Sequence, residues 1–141
     1  MSKYLDRLQP LGLLIMRLAL AAVMIAHGAQ KVFGGMPKHE ALVSSIGFPA
    51  WMAFLSAAAE FGGGILVLLG VFTRAAALAI TVDMAVAIAK VHAKVGLRGP
   101  GGFEFPLSVG AIAFALIFFG SGPISLDGIF SGRPSLPKSS R

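Results

Sequence analysis

The chain has 141 residues, 56% of them hydrophobic and 13% charged, and its mean hydropathy is +0.83. Soluble domains carry about 25% charged residues, so this composition indicates a one-domain membrane protein and excludes a separate soluble catalytic domain. The formal charge of +6 is spread between hydrophobic segments, which favours anionic lipid headgroups over nucleic acid as a partner, and the absence of cysteine excludes thiol chemistry and cysteine-ligated clusters.

Four apolar segments approach the length of about 20 residues that a helix needs to cross a bilayer. They run from about 11 to 33, 49 to 72, 74 to 95 and 105 to 119. We therefore predict an all-α fold, an integral membrane four-helix bundle over residues 1–132, followed by a polar and disordered tail over 133–141.

The first two segments each begin at a proline. Pro10 and Pro49 suit the first turn of a helix, because the missing N–H of proline would be unpaired there. Trp51 follows Pro49 at a level typical of the headgroup region. Lys3 lies before the first apolar run as in a secretory signal, but Arg17 interrupts that run, so we expect a retained first helix.

The connections predict how the segments are arranged. The turn before Arg74 is so short that the second and third segments must form an antiparallel hairpin, and a glycine-rich connection over 96–103 precedes the fourth. Asp127, after the fourth segment, is expected to make a turn or a helix cap.

An even number of spans places both termini on one side. The Lys and Arg residues number six on that side and five on the other, a weak guide to orientation, and we expect the termini in the cytoplasm of a bacterial inner membrane.

Charged side chains inside spans are rare and costly, and they mark candidate functional sites. At about 1.5 Å per residue from the side of the termini, Arg17 lies about 9 Å deep, Asp83 about 13 Å and Glu60 about 18 Å. These depths predict one ion-paired group. A second polar layer, at about 24 to 30 Å, contains His27, Lys31, Lys90, His92 and Glu104.

Helical periodicity predicts which of these residues face the interior. Arg17 and Lys31 share one face of the first helix, with Gly28 between them and His27 beside it. On the second helix, a stripe of small residues surrounds Glu60 and would let a neighbouring helix approach the carboxylate; these are Ala53, Ala57 and Gly64.

The third helix does not fit this scheme. Asp83 and His92 lie on roughly opposite faces of a regular helix. They cannot both face one pocket unless the helix bends or unwinds between them.

Several short motifs occur in order along nearly the whole chain: Arg17, His27-Gly28-x-x-Lys31, Glu60-x-x-Gly-Gly, the run from Leu68 to Arg74, His92, Glu104-Phe105-Pro106 and the run from Gly120 to Asp127. In these features the chain resembles the DoxX family of small four-helix bacterial membrane proteins. The resemblance implies a membrane subunit like that of thiosulfate:quinone oxidoreductase, a quinol oxidase subunit or a protein of oxidative-stress resistance. Asp83 and Lys90 are outside the family pattern.

The first functional hypothesis is a quinone-linked oxidoreductase subunit, which takes its electrons from a protein partner or a soluble substrate. A quinone takes up two electrons and two protons, so its site needs an apolar cleft with titratable groups at the carbonyls. The candidate catalytic residues are His27, Glu60, His92 and Glu104, and the candidate cofactor-binding residues are Arg17 and Lys31. The structural alternative is that the same charges form ion pairs that hold the bundle together.

Other functions remain open at this point. His27 and His92 lie at similar depth on different helices and can supply two axial ligands to a haem. With Glu104 they can also form a nitrogen- and oxygen-ligated metal site. A third class is a non-catalytic protein that anchors or assembles partners or, as a homo-oligomer, transports a small molecule.

Overall fold

The protein was analysed as a computed structural model that describes residues 2–130. Within this range the chain is entirely helical and contains no strand, which confirms the all-α prediction. The α-helices are α1 (Ser2–Gln30), α2 (Met36–Ser45), α3 (Met52–Ala57), α4 (Gly63–Leu69), α5 (Thr73–Ala87), α6 (Glu104–Phe119) and α7 (Leu126–Phe130). π-helical turns occupy Lys31–Gly35, Ala58–Gly62 and Ile88–His92. The predicted tail over 133–141 lies outside the described residues.

Three helices are long and apolar enough to cross a membrane: Leu5–Ser45, Met52–Leu69 and Thr73–His92. Each of them contains one of the π-helical turns; the second and third continue through it as helix, whereas the first bends at Phe33 and Gly34. The predicted fourth span corresponds to α6, whose 16 residues rise about 24 Å, less than the thickness of about 30 Å of a typical hydrocarbon core.

The start of α1 differs from the prediction. The helix begins at Ser2, so Pro10 lies inside it and not in its first turn. Because proline has no N–H, one backbone carbonyl, that of Asp6, loses its hydrogen bond within the helix. Asp6 lies in an exposed part of the helix, and its side chain accepts a hydrogen bond from the Gln9 side chain. Water can therefore take the place of the missing backbone donor.

A sharp bend separates α1 from α2. Phe33 and Gly34 leave the helical conformation, and Gly34 has a φ of 138°, which only glycine adopts without strain. Pro37 then lies in the first turn of α2, a position that suits its fixed φ. The bend lets α2 pack against α3 and against the turn Lys31–Gly35.

Packing joins the helices in sequence. α1 contacts α4 and the turn Ala58–Gly62, α4 contacts α5, and α5 contacts α6 along its length. Gly70 closes the tight hairpin between α4 and α5 in a left-handed conformation, which confirms the antiparallel pair. The core contains Leu20, Met24, Val67, Ile80 and Leu116, all fully buried. Lipid is as apolar as these side chains, so close packing stabilises the contacts.

The predicted small-residue stripe on the second span is buried. Ala53 and Ala57 have almost no exposed surface, and Gly64 is buried against α1. The approach of α1 is closest at Gly28, where a Cβ atom would overlap the backbone of Phe61. Small residues on both helices therefore bring α1 against the turn that carries Glu60.

Candidate functional site

Arg17 is fully buried, with 1% of its surface exposed, and its guanidinium binds backbone oxygens only. Nε donates to the carbonyl of Val67 at 3.0 Å and Nη2 donates to that of Leu68 at 3.0 Å. Nη1 donates to the carbonyls of Ser121 at 2.9 Å and Ile124 at 2.6 Å. The predicted ion-paired group of Arg17, Glu60 and Asp83 is therefore wrong.

These hydrogen bonds explain why an arginine is tolerated at this depth. The last carbonyls of a helix have no partner within the helix, and the C-terminus of α4 attracts a cation. Arg17 satisfies two of these carbonyls and ties α4 to the chain after α6. A Cβ atom at Gly70 would overlap the guanidinium, so this contact requires glycine in the hairpin.

The chain after α6 is fixed by serine rather than by the predicted aspartate. Ser125 Oγ accepts a hydrogen bond from the backbone N–H of Gly128 at 2.9 Å, the arrangement of a helix N-cap for α7. Asp127 contributes its backbone N–H, which donates to the carbonyl of Gly70 at 3.0 Å. The residue that caps the helix is therefore Ser125, two residues before the predicted Asp127.

Glu60 forms an ion pair with Lys31, not with Arg17. Lys31 Nζ lies 2.8 Å from Glu60 Oε2, and 7% of the Glu60 side chain is exposed. Lys31 Nζ also lies 3.5 Å from Ser56 Oγ. Asp83, on α5, lies beside Glu60 and Ser56. The cluster of Lys31, Glu60 and Asp83 thus contains two carboxylates and one ammonium group.

Each π-helical turn carries a residue that sequence analysis proposed for the site. Lys31 begins the first turn, Glu60 lies in the second and His92 ends the third. A π-helical turn inside a helix inserts one residue, rotates the residues that follow and is frequent at functional sites. This description fits the second and third turns, whereas the first contains the bend at Phe33 and Gly34. The third turn lies between Asp83 and His92 and allows both to line one cavity. This is the irregularity that a common pocket required.

A cavity of about 1100 Å³ lies between α2, the second and third spans, and the start of α6. Most of its lining is aliphatic, and its titratable lining residues are His27, Lys31, His39, Glu60, Asp83 and His92. Leu55, Val82 and Val86 also line it, although each exposes a third or more of its surface. These exposed apolar side chains belong to the second and third spans.

The cavity contains four of the six site residues predicted from the sequence. His27, Lys31, Glu60 and His92 line it, while Arg17 does not. Glu104 does not line it either, because it is exposed at the first position of α6.

The two predicted histidines differ in their contacts. His27 stacks against Phe105 in a tilted arrangement, with ring centroids 4.9 Å apart. His92 Nδ1 donates a hydrogen bond to the carbonyl of Gly101 at 2.6 Å, and the other ring nitrogen, Nε2, takes no part in this bond. Within residues 2–130 no three histidine or acidic side chains are grouped as metal ligands, and Glu104 lies apart from the cavity that holds His27 and His92.

Sequence analysis missed His39 and left Asp83 out of the site. His39 lies on α2, which the hydropathy pattern placed in a connection between spans. A signal was present, since Gly34-Gly35 followed by Pro37 is a typical break and restart of a helix. Asp83 is outside the family pattern, and on a regular helix it would also lie opposite His92; the π-helical turn removes this second conflict.

Comparison with known proteins gives three findings. The profile described as DoxX matches residues 12–93. The protein named "Putative oxidoreductase CatD" of Bacillus subtilis (strain 168) is 33% identical over 124 residues, which cover 87% of this chain and 90% of that protein. An uncharacterized protein of Haemophilus influenzae (strain ATCC 51907 / DSM 11121 / KW20 / Rd) is 31% identical over 134 residues, 89% of this chain and 96% of that protein. No solved structure matches the chain.

Proposed function

The chain belongs to the DoxX family, and on this premise we propose that it is a membrane oxidoreductase subunit that binds a quinone in the cavity between its second and third spans. The observation that carries this proposal is a mainly apolar cavity of about 1100 Å³ with a buried charge cluster on its wall. The similarity to a Bacillus subtilis protein named as an oxidoreductase points to the same class of chemistry.

The cavity suits a lipid-soluble ligand with a polar head. Ligand cavities are generally about 300 to 1000 Å³, lined mainly by apolar side chains with a few convergent polar groups. This one is slightly larger than that range, and its exposed lining residues include Leu55 and Val82 on the second and third spans. A quinone dissolved in the bilayer can therefore enter from the side, without crossing the headgroup layer.

The polar wall has the groups that quinone chemistry needs. Reduction of a quinone to a quinol consumes two electrons and two protons. Lys31 stabilises negative charge that develops on a quinone oxygen, and the carboxyl groups of Glu60 and Asp83 exchange protons with it. His27 and His92 contribute hydrogen bonds from the other side of the cavity. The chain has no cysteine, and in this proposal a partner oxidoreductase delivers the electrons.

The membrane arrangement completes the proposal. We place α6 as the fourth span of the bundle, because it is apolar and packs along α5. The protein then lies in the bacterial inner membrane with both termini on the cytoplasmic side. Arg17 serves as a structural residue, because all its observed hydrogen bonds are to backbone carbonyls of the protein.

Photoaffinity labelling of the bilayer-reconstituted protein tests this function. An azidoquinone should label residues of the cavity, and excess unlabelled quinone should abolish that labelling. Glu60→Gln should reduce the labelling several-fold, because it removes a charge from the cavity wall. Glu104→Gln is the matched control: it makes the same chemical change at a residue outside the cavity, so labelling should be unaffected. Labelling that is spread along the lipid-facing surface, or that unlabelled quinone does not compete, would contradict the proposal.

A further inference from the structure

The cavity follows the groove between the second and third spans along most of their length. Its lining residues on the second span recur every three or four positions from Met52 to Leu66, and those on the third span do so from Ala75 to His92. This spacing marks one face of each helix. At about 1.5 Å per residue the two stretches extend about 21 and 26 Å. The cavity is therefore a long groove and not a compact pocket.

The two halves of this groove differ in polarity. The half nearer α2 contains the titratable lining residues His27, Lys31, His39, Glu60, Asp83 and His92. Among the described residues, the half nearer the hairpin turn at Gly70 is lined by apolar groups: Gly62, Gly63, Leu66, Ala75, Ala76, Ala79 and Val82. From Asp83 to Ala75 this apolar half extends about 12 Å along the third span. A groove that is polar at one end and apolar beyond it matches a ligand with a polar head and a hydrocarbon chain.

Gly62 keeps the apolar half open. It lines the cavity, and a Cβ atom at this position would have no atom of the described structure within 4 Å. At the neighbouring Gly63, by contrast, a Cβ atom would come within 3.2 Å of the Ile80 side chain. The free space of the groove thus begins directly at the backbone of Gly62. A larger side chain here enters the space between the two spans without displacing protein atoms.

We infer that the apolar half of the groove holds the hydrocarbon chain of the ligand, so that the site takes long-chain quinones, with the ring beside α2 and the chain directed toward Gly70. This inference rests on the proposed function and adds the class of quinone and its orientation. The hydrophobic effect does not favour the groove over the bilayer, because lipid is equally apolar. Close packing between the chain and the two spans supplies the preference, so the shape of the groove decides which chain is accepted.

The first experiment compares two quinones with an azide on the ring, one with a decyl chain and one with a methyl group in its place, on the bilayer-reconstituted protein. Gly62→Leu should weaken labelling by the decyl quinone about tenfold, the usual consequence of forcing extra atoms into filled space. Labelling by the methyl quinone should be unchanged. Gly12→Leu is the matched control, and both probes should label it normally. Gly12 is exposed on α1 outside the cavity, and a Cβ atom there also meets no described atom within 4 Å.

A third probe, a decyl quinone with its azide at the end of the chain, tests the orientation independently. Its label should fall on residues 62–66 and 75–79, whereas the ring azide should label residues beside α2. Chain-end labelling beside α2, or on the surface outside the groove, would overturn the inference. This result decides the matter even where the methyl quinone binds too weakly to label.

The remaining outcomes separate this inference from the proposed function. If Gly62→Leu weakens both ring-azide quinones equally, it acts on the ring site and the inference fails. If it weakens neither, the chain lies elsewhere, and the inference fails while the proposed function stands. If neither ring-azide quinone labels the cavity of the unmodified protein, the proposed function fails and this inference fails with it.

Discussion

Arg17 and Glu60 are both charged side chains buried in the membrane domain, yet their surroundings differ. The guanidinium of Arg17 has carbonyl partners on α4 and on the chain after α6, and Arg17 does not line the cavity of about 1100 Å³. Glu60 shares one lysine with Asp83 and faces a large cavity. The first arrangement holds helices together. The second leaves polar groups available to a ligand.

Replacing Arg17 should have the largest effect. Arg17→Leu removes the side-chain donors from the backbone carbonyls of Val67, Leu68, Ser121 and Ile124. Of these, Val67 keeps the hydrogen bond from the Gly70 N–H at 3.2 Å, and each carbonyl left buried and unpaired costs about 1–3 kcal/mol. We expect the free energy of unfolding to fall by about 3–5 kcal/mol, since water can reach some of these groups after the change. Thermal or denaturant unfolding of the reconstituted protein measures it.

Arg7→Leu is the control for this variant, because Arg7 lies exposed on the same helix and has no hydrogen-bond partner in the described structure. Its expected effect is within about 0.5 kcal/mol. Equal destabilisation by the two substitutions would show that Arg17 acts through the charge balance of the helix and not through its carbonyl partners.

The charge cluster should respond unequally to loss of its two ion-pair partners. Lys31→Met leaves two carboxylates beside each other without a cation, whereas Glu60→Gln leaves Lys31 with Asp83 as a replacement partner. Breaking a buried pair costs about 3–5 kcal/mol. The Lys31 side chain is 22% exposed, so solvent weakens the effect. We expect the free energy of unfolding to fall by about 2 kcal/mol for Lys31→Met and by about 1 kcal/mol for Glu60→Gln.

Asp83→Asn provides the control for this asymmetry. In the background of Lys31→Met it removes one of the two unpaired carboxylates, and we expect it to recover about 1 kcal/mol of the free energy of unfolding. In the unmodified protein the same substitution should be nearly neutral or destabilising. If its effect on the free energy of unfolding is the same in both backgrounds, Asp83 is not electrostatically coupled to the pair, and the comparison with Arg17 loses its basis.

The sequence predicts the membrane helices well because hydropathy and length are local properties. It does not predict the partners of Arg17, because backbone carbonyls exist at every position and leave no pattern in the residue types. Depth alone grouped Arg17 with Glu60. In the structure Glu60 instead pairs with Lys31, predicted to lie about 12 Å further along the helix axis, because the lysine side chain reaches back along the helix.

Helical periodicity predicts part of the candidate site, where the helices are regular. Regular periodicity placed Gly28 and Lys31 on one face of the first helix, and in the structure Gly28 lies against Phe61 and Lys31 pairs with Glu60. It could not place His92 with Asp83, because a π-helical turn changes the angle by an amount that depends on packing with other segments. His39 required the bend at Gly34, which is visible as a Gly-Gly pair but whose direction depends on α3.

His92 is intermediate between the two arrangements and should show the smallest effect. One ring nitrogen is bound, by the hydrogen bond from Nδ1 to the carbonyl of Gly101 at 2.6 Å, and the ring lines the cavity. His92→Leu removes that bond from a partly exposed loop, at a cost of about 0.5–1 kcal/mol. Since the loop contains exposed Arg98, we expect tryptic cleavage after Arg98 to become about three- to fivefold faster, as local opening becomes more frequent.

His92→Asn separates the loop contact from the cavity contact. The asparagine side-chain amide lies near the position of Nδ1 and can donate to the carbonyl of Gly101. It lacks the atoms beyond that point, so it no longer reaches the cavity as the imidazole does. We therefore expect cleavage after Arg98 to return to the rate of the unmodified protein, while quinone labelling falls below that of the unmodified protein, as it should also in His92→Leu. If asparagine restored labelling but not resistance to trypsin, the bond to Gly101 would have no part in fixing the loop, and His92 would belong wholly with the cavity residues.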